Sequence, residues 1–281
     1  MKKNWVFFGI GASLLLLTGL GIAVLKGRPK ASVGSPSPQQ AEASASQPAS
    51  ARLLFAQAQR AQAEGSLSEA KHLYTQVLQH PSGGELAASA QERLGQVNLK
   101  LLLSPTVTPD AQVYEVQSGD TLSKIAKKFQ TTAELIQITN GLTSDRIRPY
   151  QRLKVVKASF SVVVDKSQNT VTLKQGEEVL KVYRCSTGLG GITPVGTFRI
   201  ANRIIDPPWY SPQGVIPSGD PRNILGTRWL GFDLPGYGIH GTTDPTSIGK
   251  AVTQGCVRLN NADVEELFPL LAEGTTVTIV E

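Results

Sequence analysis

The chain has 281 residues, of which 40% are hydrophobic and 18% charged, and its formal net charge is +6 at pH 7. That length accommodates two domains with smaller modules attached, and the ordinary composition excludes a wholly disordered chain and a polytopic membrane protein. The positive charge does not indicate nucleic acid as a partner: Lys2, Lys3, Lys26, Arg28 and Lys30 lie in an acid-free start, and the rest of the chain is within one charge of neutral.

Asn4 to Leu25 carries no charge. At a helical rise of about 1.5 Å per residue it is long enough for a hydrocarbon core of roughly 30 Å. The run ends in Lys26-Gly27-Arg28-Pro29, without a cleavage site of small residues and without a following cysteine to take a lipid. Residues 1–27 are therefore expected to be an uncleaved membrane anchor, a single N-terminal transmembrane helix. Basic residues flank both of its ends and leave the orientation open. Residues 28–50 are rich in Ser, Pro, Ala and Gln, too poor in apolar surface to offset their ordering entropy, and are expected to be a linker.

The period changes at residue 51. Leu53, Leu54, Ala58 and Ala61, then Ala70, Leu73, Tyr74, Val77 and Leu78, recur at helical spacing. Glu64-Gly65-Ser66 breaks the first helix, Ser68 is expected to cap the second, and His80-Pro81-Ser82-Gly83-Gly84 ends it. Glu85 to Leu103 supplies a third. The segment 51–104 resembles a tetratricopeptide helix pair, too short for a solenoid. Two readings stand: a spacer or small helical hairpin, and a docking site for a protein partner.

Val113 to Val116 alternates as a strand, and Ser118-Gly119-Asp120-Thr121 turns into a helix with Leu122, Ile125, Ala126 and Phe129 on one face. Thr131 or Thr132 caps a second helix containing Leu135, Ile136 and Ile138, which stops at Asn140-Gly141. Leu153 to Val156 returns as a strand, making a βααβ module at 113–156. At YEVQSGDTLSKIAKKF, TNGL and IRPYQRLKV it resembles a LysM domain, a small α+β fold. The resemblance implies binding of N-acetylglucosamine-containing glycans, chiefly peptidoglycan. Gly119, Asp120, Thr121, Asn140 and Gly141 are the candidate glycan contacts, although turn chemistry explains these residue types equally well. Tyr150 stands where that family usually has glycine.

From residue 159 the pattern has period two. Phe160–Val164, Thr170–Lys174, Val179–Arg184, Thr197–Ile200 and Thr276–Val280 read as strands of a mainly-β domain, 159–281, with one helix from Asn261 to Leu271. Asn260 or Asn261 is its expected cap. Before that helix lie His240-Gly241 and then Thr253-Gln254-Gly255-Cys256-Val257-Arg258. A free thiol has a pKa of about 8.5 and is only a few per cent thiolate at neutral pH; a neighbouring imidazole can take its proton. Glycines beside both residues let backbone amides approach a reacting carbonyl. Against this stands a buried cysteine with an incidental histidine.

Residues 240–258 resemble the signature of the L,D-transpeptidase catalytic (YkuD) domain. The stretches CSTG at 185, TPVGTF at 193, PPWYSP at 207 and LGTRWLGF at 225 resemble that family too. The resemblance implies that Cys256 is the nucleophile, His240 its base, the Gly241 carbonyl the group that orients the imidazole, and amides near Gly255 and Cys256 the oxyanion hole. It implies that Arg258 holds the catalytic loop or a substrate carboxylate. Gln254 replaces a histidine common in the family. Trp209 and Tyr210 are expected either to wall the substrate cleft or to pack on the β core. Cys185 reads as core filler; with two cysteines the chain holds either one disulfide or two free thiols. Neither a metal nor an organic cofactor is expected.

The expected protein is thus multidomain: an anchor, a linker, an all-α tetratricopeptide-like segment, a LysM module and a mainly-β catalytic domain. It is expected to form 3→3 cross-links in peptidoglycan during cell-wall biogenesis. It would be held in a bacterial cell membrane by one N-terminal span, N-terminus inside and catalytic domain outside. The alternatives are an L,D-carboxypeptidase that uses water as acceptor and a non-catalytic wall-binding scaffold.

Overall fold

The computed structural model describes residues 38–281, with side chains from Ser50 onward, and residues 42–281 form one compact body. The anchor expected at 1–27 lies outside the described residues, as does the linker up to residue 37. Among the described residues no helix is long and apolar enough to cross a membrane.

Helix α1 (Pro38–Ala63) begins inside the stretch expected as a linker; its Ala, Gln and Glu residues are good helix formers, which low apolar content had obscured. Helices α2 (Leu67–Gln79) and α3 (Ala87–Leu103) follow, the latter after a 3-10 turn at Gly84–Leu86. Ser68 does not cap α2: the helix begins one residue earlier, and Ser66 stands at the cap position without a side-chain bond. Ala58, Ala61, Ala70, Tyr74, Val77, Ala90, Leu94 and Val97 form a core of their own. Leu53, expected on the apolar face, is 60% exposed.

These helices pack on the C-terminal β domain as well as on one another. The far face of α3 lies on the edge of the catalytic sheet, so closely that a Cβ on Gly95 would overlap the Leu180 carbonyl. Asn98 Nδ2 donates to Glu178. The buried Lys154 donates from Nζ to the carbonyls of Leu102 (2.9 Å) and Ser104 (2.8 Å), capping the C-terminus of α3 with a cation.

The next module is β1 (Ala111–Glu115), α4 (Leu122–Phe129), α5 (Ala133–Thr139) and β2 (Arg152–Val156), with β1 and β2 antiparallel. Thr121 caps α4 by accepting from Lys124 N, and Thr132 caps α5 by accepting from Leu135 N. Of the apolar residues of α5, Leu135 and Ile136 are buried and Ile138 is 46% exposed. Tyr150 adopts φ 67°, the left-handed conformation that explains a preference for glycine there. The module is fastened to the catalytic domain by Arg203, which pairs with Glu134, donates to the Phe268 carbonyl at 2.8 Å and lies 4.1 Å over the Phe268 ring. Thr132 Oγ1 adds a bond to the Pro269 carbonyl.

The catalytic domain contributes β3 (Phe160–Asp165), β4 (Thr170–Gln175), β5 (Glu178–Arg184), β6 (Thr187–Gly188), β7 (Gly196–Ile205), β8 (Trp209–Ser211), β9 (Gly214–Ile216), β10 (Arg228–Phe232), β11 (Gly238–His240), β12 (Ala251–Thr253), β13 (Val257–Arg258) and β14 (Thr276–Val280). Eight of them form one sheet, ordered β13-β11-β10-β7-β14-β3-β4-β5. The β14–β3 and β11–β13 pairs are parallel and the others antiparallel. Helix α6 (Asn261–Leu267) ends earlier than expected and passes into a 3-10 turn at Phe268–Leu270, because Pro269 has no N–H to continue the α ladder. Val264, Leu267, Phe268 and Leu271 pack against Leu230, Ile239, Val257 and Leu259. That packing fixes the short strands β10, β11 and β13 at the sheet edge.

Candidate active site

The parallel ladder of β11 and β13 aligns Ile239 with Val257 and His240 with Arg258. Continued back by one residue, this register sets Gly238 opposite Cys256. Cys256 is the bend residue just before β13, and its thiol lies against the backbone of Gly236 and Gly238. Gly238 has no room for a side chain. An added Cβ there would lie 2.6 Å from the Leu230 carbonyl and 3.0 Å from the Trp229 ring.

His240 is 2% exposed. Its Nδ1 lies 2.6 Å from the Gly241 carbonyl oxygen. A carbonyl only accepts, so Nδ1 carries the hydrogen and Nε2 keeps its lone pair. On β10, Trp229 pairs with His240 across the ladder and stacks on its ring. Burial lowers the His240 pKa to about 4; the Gly241 and Leu225 carbonyls act against the shift, and the Arg258 charge adds to it. The imidazole is neutral at neutral pH.

Cys256 is partly exposed, a free thiol that donates to the Gly236 carbonyl at 3.4 Å. Burial raises its pKa, while the Gly238 backbone and Arg258 pull it down. Thiol and imidazole are thus both uncharged at neutral pH. The loop before the thiol is held by Thr253, whose hydroxyl donates to the Cys256 carbonyl at 2.6 Å and accepts from Gly255 N at 3.2 Å. The Gly255 amide, an expected oxyanion donor, is therefore engaged. Gly255 has φ 117°, and a Cβ there would come 2.7 Å from the Tyr237 ring. Gln254 points outward and is exposed.

Arg258 exchanges both backbone bonds with Ser186, at 2.8 and 2.9 Å, and its Nη1 donates to Ser247 Oγ at 3.0 Å. Its Nε is buried without a partner. Trp209 and Tyr210 lie on the separate β8–β9 hairpin, with Trp209 half-buried and Tyr210 77% exposed. Asn223 Nδ2 ties the base of that hairpin to the Pro207 carbonyl at 2.9 Å, and Asn223 Oδ1 accepts from Leu225 N at 2.9 Å. Leu225 is the residue whose carbonyl faces His240, so the hairpin is anchored beside the imidazole.

Cys185 is fully buried and forms no disulfide with Cys256. In the βααβ module the candidate glycan contacts are largely occupied by local bonds. Asp120 accepts from Tyr114 Oη and Gln117 N, both at 2.8 Å, and Thr121 is a helix cap. Asn140 spends its amide on Lys154 N (2.7 Å), Lys154 O (2.8 Å) and Ile136 O (2.7 Å). Gly119 and Gly141 sit at φ 82° and 61° with nothing near an added Cβ, as turn glycines do. A cavity of about 940 Å³ between this module and the catalytic sheet, lined by Lys127, Gln130, Lys157, Arg199 and Arg203, does not include Cys256 or His240.

Two residues at the site were not singled out from sequence for the parts they occupy. Trp229 lies in LGTRWLGF, a stretch read only as resembling the family, and the β10–β11 register puts it on His240. Of the two expected caps of α6, Asn260 stands at the cap position, and Asn261 is the first helical residue, whose Oδ1 accepts from Thr242 N (2.9 Å) and Thr227 N (3.3 Å).

Residues 159–279 match the L,D-transpeptidase catalytic domain called YkuD, and residues 114–156 match the LysM domain. The L,D-transpeptidase YkuD of Bacillus subtilis is 37% identical over 173 residues, an alignment covering 59% of this chain and 97% of that relative. The L,D-transpeptidase YqjB of the same organism is 38% identical over 126 residues, covering 43% of this chain and 70% of YqjB. Among solved structures, an L,D-transpeptidase from Mycobacterium tuberculosis is similar at a TM-score of 0.39 and 15% identity, over 48% of this chain and 75% of that one. The chain belongs to the YkuD family of L,D-transpeptidases and carries a LysM domain.

Proposed function

We propose that the protein is a peptidoglycan L,D-transpeptidase in which Cys256 is the nucleophile and His240 its general base. The observation that supports this reading is the β11–β13 ladder, in which Val257, the residue after Cys256, pairs with Ile239, the residue before His240. The neutral His240, with Nδ1–H on the Gly241 carbonyl, offers Nε2 as the base. Nε2 takes the Sγ proton as sulfur bonds to the carbonyl carbon of the third stem residue. The developing oxyanion is met by the Cys256 amide, joined by the Gly255 amide once the Thr253 hydroxyl turns away. Collapse breaks the C–N bond, His240 returns the proton to the departing D-alanine amine, and a thioester remains. The side-chain amine of a second stem then attacks the thioester and loses its proton to His240. The Cys256 thiolate leaves and takes that proton back from His240, giving a 3→3 cross-link.

Arg258, fixed through Ser186 and Ser247, holds the loop that carries Cys256 and offers its remaining guanidinium donors to a substrate carboxylate. Trp209 and Tyr210 form one wall of the substrate cleft. The LysM module keeps the enzyme on glycan and raises the effective substrate concentration. Residues 1–27 anchor the chain in the cell membrane with the N-terminus inside, since peptidoglycan lies outside.

The test is covalent labelling of the whole chain by a carbapenem, read as intact mass, followed by analysis of muropeptides after incubation with cell-wall material. The expected result is one adduct that Cys256→Ala abolishes, together with 3→3 dimers. Trimmed tripeptides without dimers would replace the transferase reading by a carboxypeptidase one. An unlabelled wild-type chain would leave a wall-binding scaffold.

A further inference from the structure

The peptide unit joining Gly241 to Thr242 is gripped at both ends. Its C=O accepts from His240 Nδ1 at 2.6 Å, and its N–H donates to Asn261 Oδ1 at 2.9 Å. A peptide unit is planar, with C=O and N–H trans, so fixing one bond direction fixes the other. Donation of the N–H also polarises the unit and makes its oxygen a better acceptor. The same Oδ1 accepts from Thr227 N at 3.3 Å, which binds the lead-in to β10 to the exit of β11. Both flanking residues are glycines, Gly226 and Gly241, and a Cβ on either would overlap Oδ1. Asn261 is the first residue of α6, whose Val264 and Leu267 are buried in the core.

We infer that Asn261 is the positioning residue for the general base: through the Gly241–Thr242 peptide it holds His240 in the Nδ1–H tautomer with Nε2 free. Families of catalytic histidines ordinarily receive this service from a carboxylate; here a carboxamide supplies it at one remove, through a backbone group. The inference rests on the reading of His240 as base, and it predicts what a purely structural asparagine would not. Asn261→Ala should lower the rate constant for carbapenem acylation of Cys256 about 10- to 100-fold, the range for losing a partner one bond removed from the reacting group. The concentration dependence of binding should stay unchanged. Asn261→Asp keeps an acceptor oxygen and should recover most of the rate.

Nitrogen NMR of the imidazole in the whole chain separates the outcomes. The wild type should show a protonated Nδ1 and a bare Nε2, and Asn261→Ala a mixture of tautomers. An Asn261→Ala protein with wild-type acylation and a wild-type imidazole signal would overturn the inference. So would an Asn261→Asp protein as slow as the alanine variant while retaining its fold by circular dichroism. If the variants do not fold, amide exchange in the unmodified chain decides: the Thr242 N–H should be as protected as the neighbouring ladder amides, and fast exchange there would sink the idea. Failure of the reading beneath it looks different, since His240→Gln would then leave acylation of Cys256 unaffected.

Discussion

The Trp229 indole lies over the His240 imidazole, with ring centroids 6.0 Å apart and planes 23° from parallel. Trp229 is itself held by Asn202, whose Oδ1 accepts from its Nε1 at 2.9 Å. The indole covers one face of the ring, and burial is the main cause of the imidazole's pKa of about 4. Acylation should therefore stay active down to about pH 4 to 5 and fall below that as the base is protonated. In Trp229→Ala water reaches the ring, and the acid limb should move up toward the ordinary histidine value of about 6.5. A pH–rate profile of carbapenem acylation measures both limbs. An unmoved limb in the variant would assign the shielding elsewhere.

The same group makes folding stability depend on pH. Its folded pKa is below its unfolded one, so between the two the unfolded chain binds the proton first. The stabilisation is whole above about 6.5 and is lost as pH falls toward about 4, a change on the order of 3 kcal/mol. Denaturant titrations at pH 7 and pH 4.5 should show it in wild type and a smaller change in Trp229→Ala.

The two thiols should differ sharply toward alkylating agents. Cys185 is fully buried, and burial pushes its pKa up to about 12, with Asp165 adding to the shift. Cys256 is partly exposed beside the Arg258 charge. Iodoacetamide at pH 8 should label one thiol in the native chain, mapped to Cys256, and both after unfolding in guanidinium. Native labelling at Cys185 would contradict its place in the core.

Much of this arrangement was legible in the sequence, for reasons that differ by element. The strands β3, β4 and β14 are long enough for a clear period of two, and their buried positions follow it; in β5 a register shift puts the buried Leu180 and Tyr183 three apart. The strands that build the site are two to five residues long, and Gly238-Ile239-His240 and Val257-Arg258 are too short to show any period. The pair Cys256 and His240 was found by its resemblance to a family signature; no local pattern would have aligned it. Trp229 and Asn261 act through contacts between distant segments, which depend on register and on glycines such as Gly226 that leave space. The docking of α3 escaped for the same reason: Gly95 reads as a weakness in a helix until the Leu180 backbone is found against it.

Gly255 should tolerate no side chain. Its φ of 117° is costly for any L residue, and a Cβ would meet the Tyr237 ring at 2.7 Å. Gly255→Ala is expected to cost about 1–3 kcal/mol of stability. It should also displace the Thr253–Cys256 turn, lowering the acylation rate more than tenfold, as small misplacements of a nucleophile do. Stopped-flow acylation and a urea melt on the same protein measure the two effects. A Tyr237→Ala change made in the Gly255→Ala background should recover part of the stability but not the φ cost. Full recovery would mean that the ring contact, and not the backbone, sets the glycine requirement.

The last prediction concerns the helices that precede the LysM module. Lys154 Nζ donates to the Leu102 and Ser104 carbonyls, and α3 meets β5 at Gly95 without room for a methyl group. Lys154→Met keeps the stem's packing but leaves carbonyls at the end of α3 without a donor, at a cost of about 1–3 kcal/mol. Gly95→Val forces α3 off the sheet edge instead. Both should increase amide hydrogen exchange in α3 and along β5, with Gly95→Val the larger effect and with little change at β11 and β13. Carbapenem acylation should stay near wild type in both, because α3 covers the β5 edge, seven strands across the sheet from β13. Loss of acylation alongside loosened helices would instead make the helical segment part of the apparatus that holds Cys256 in place.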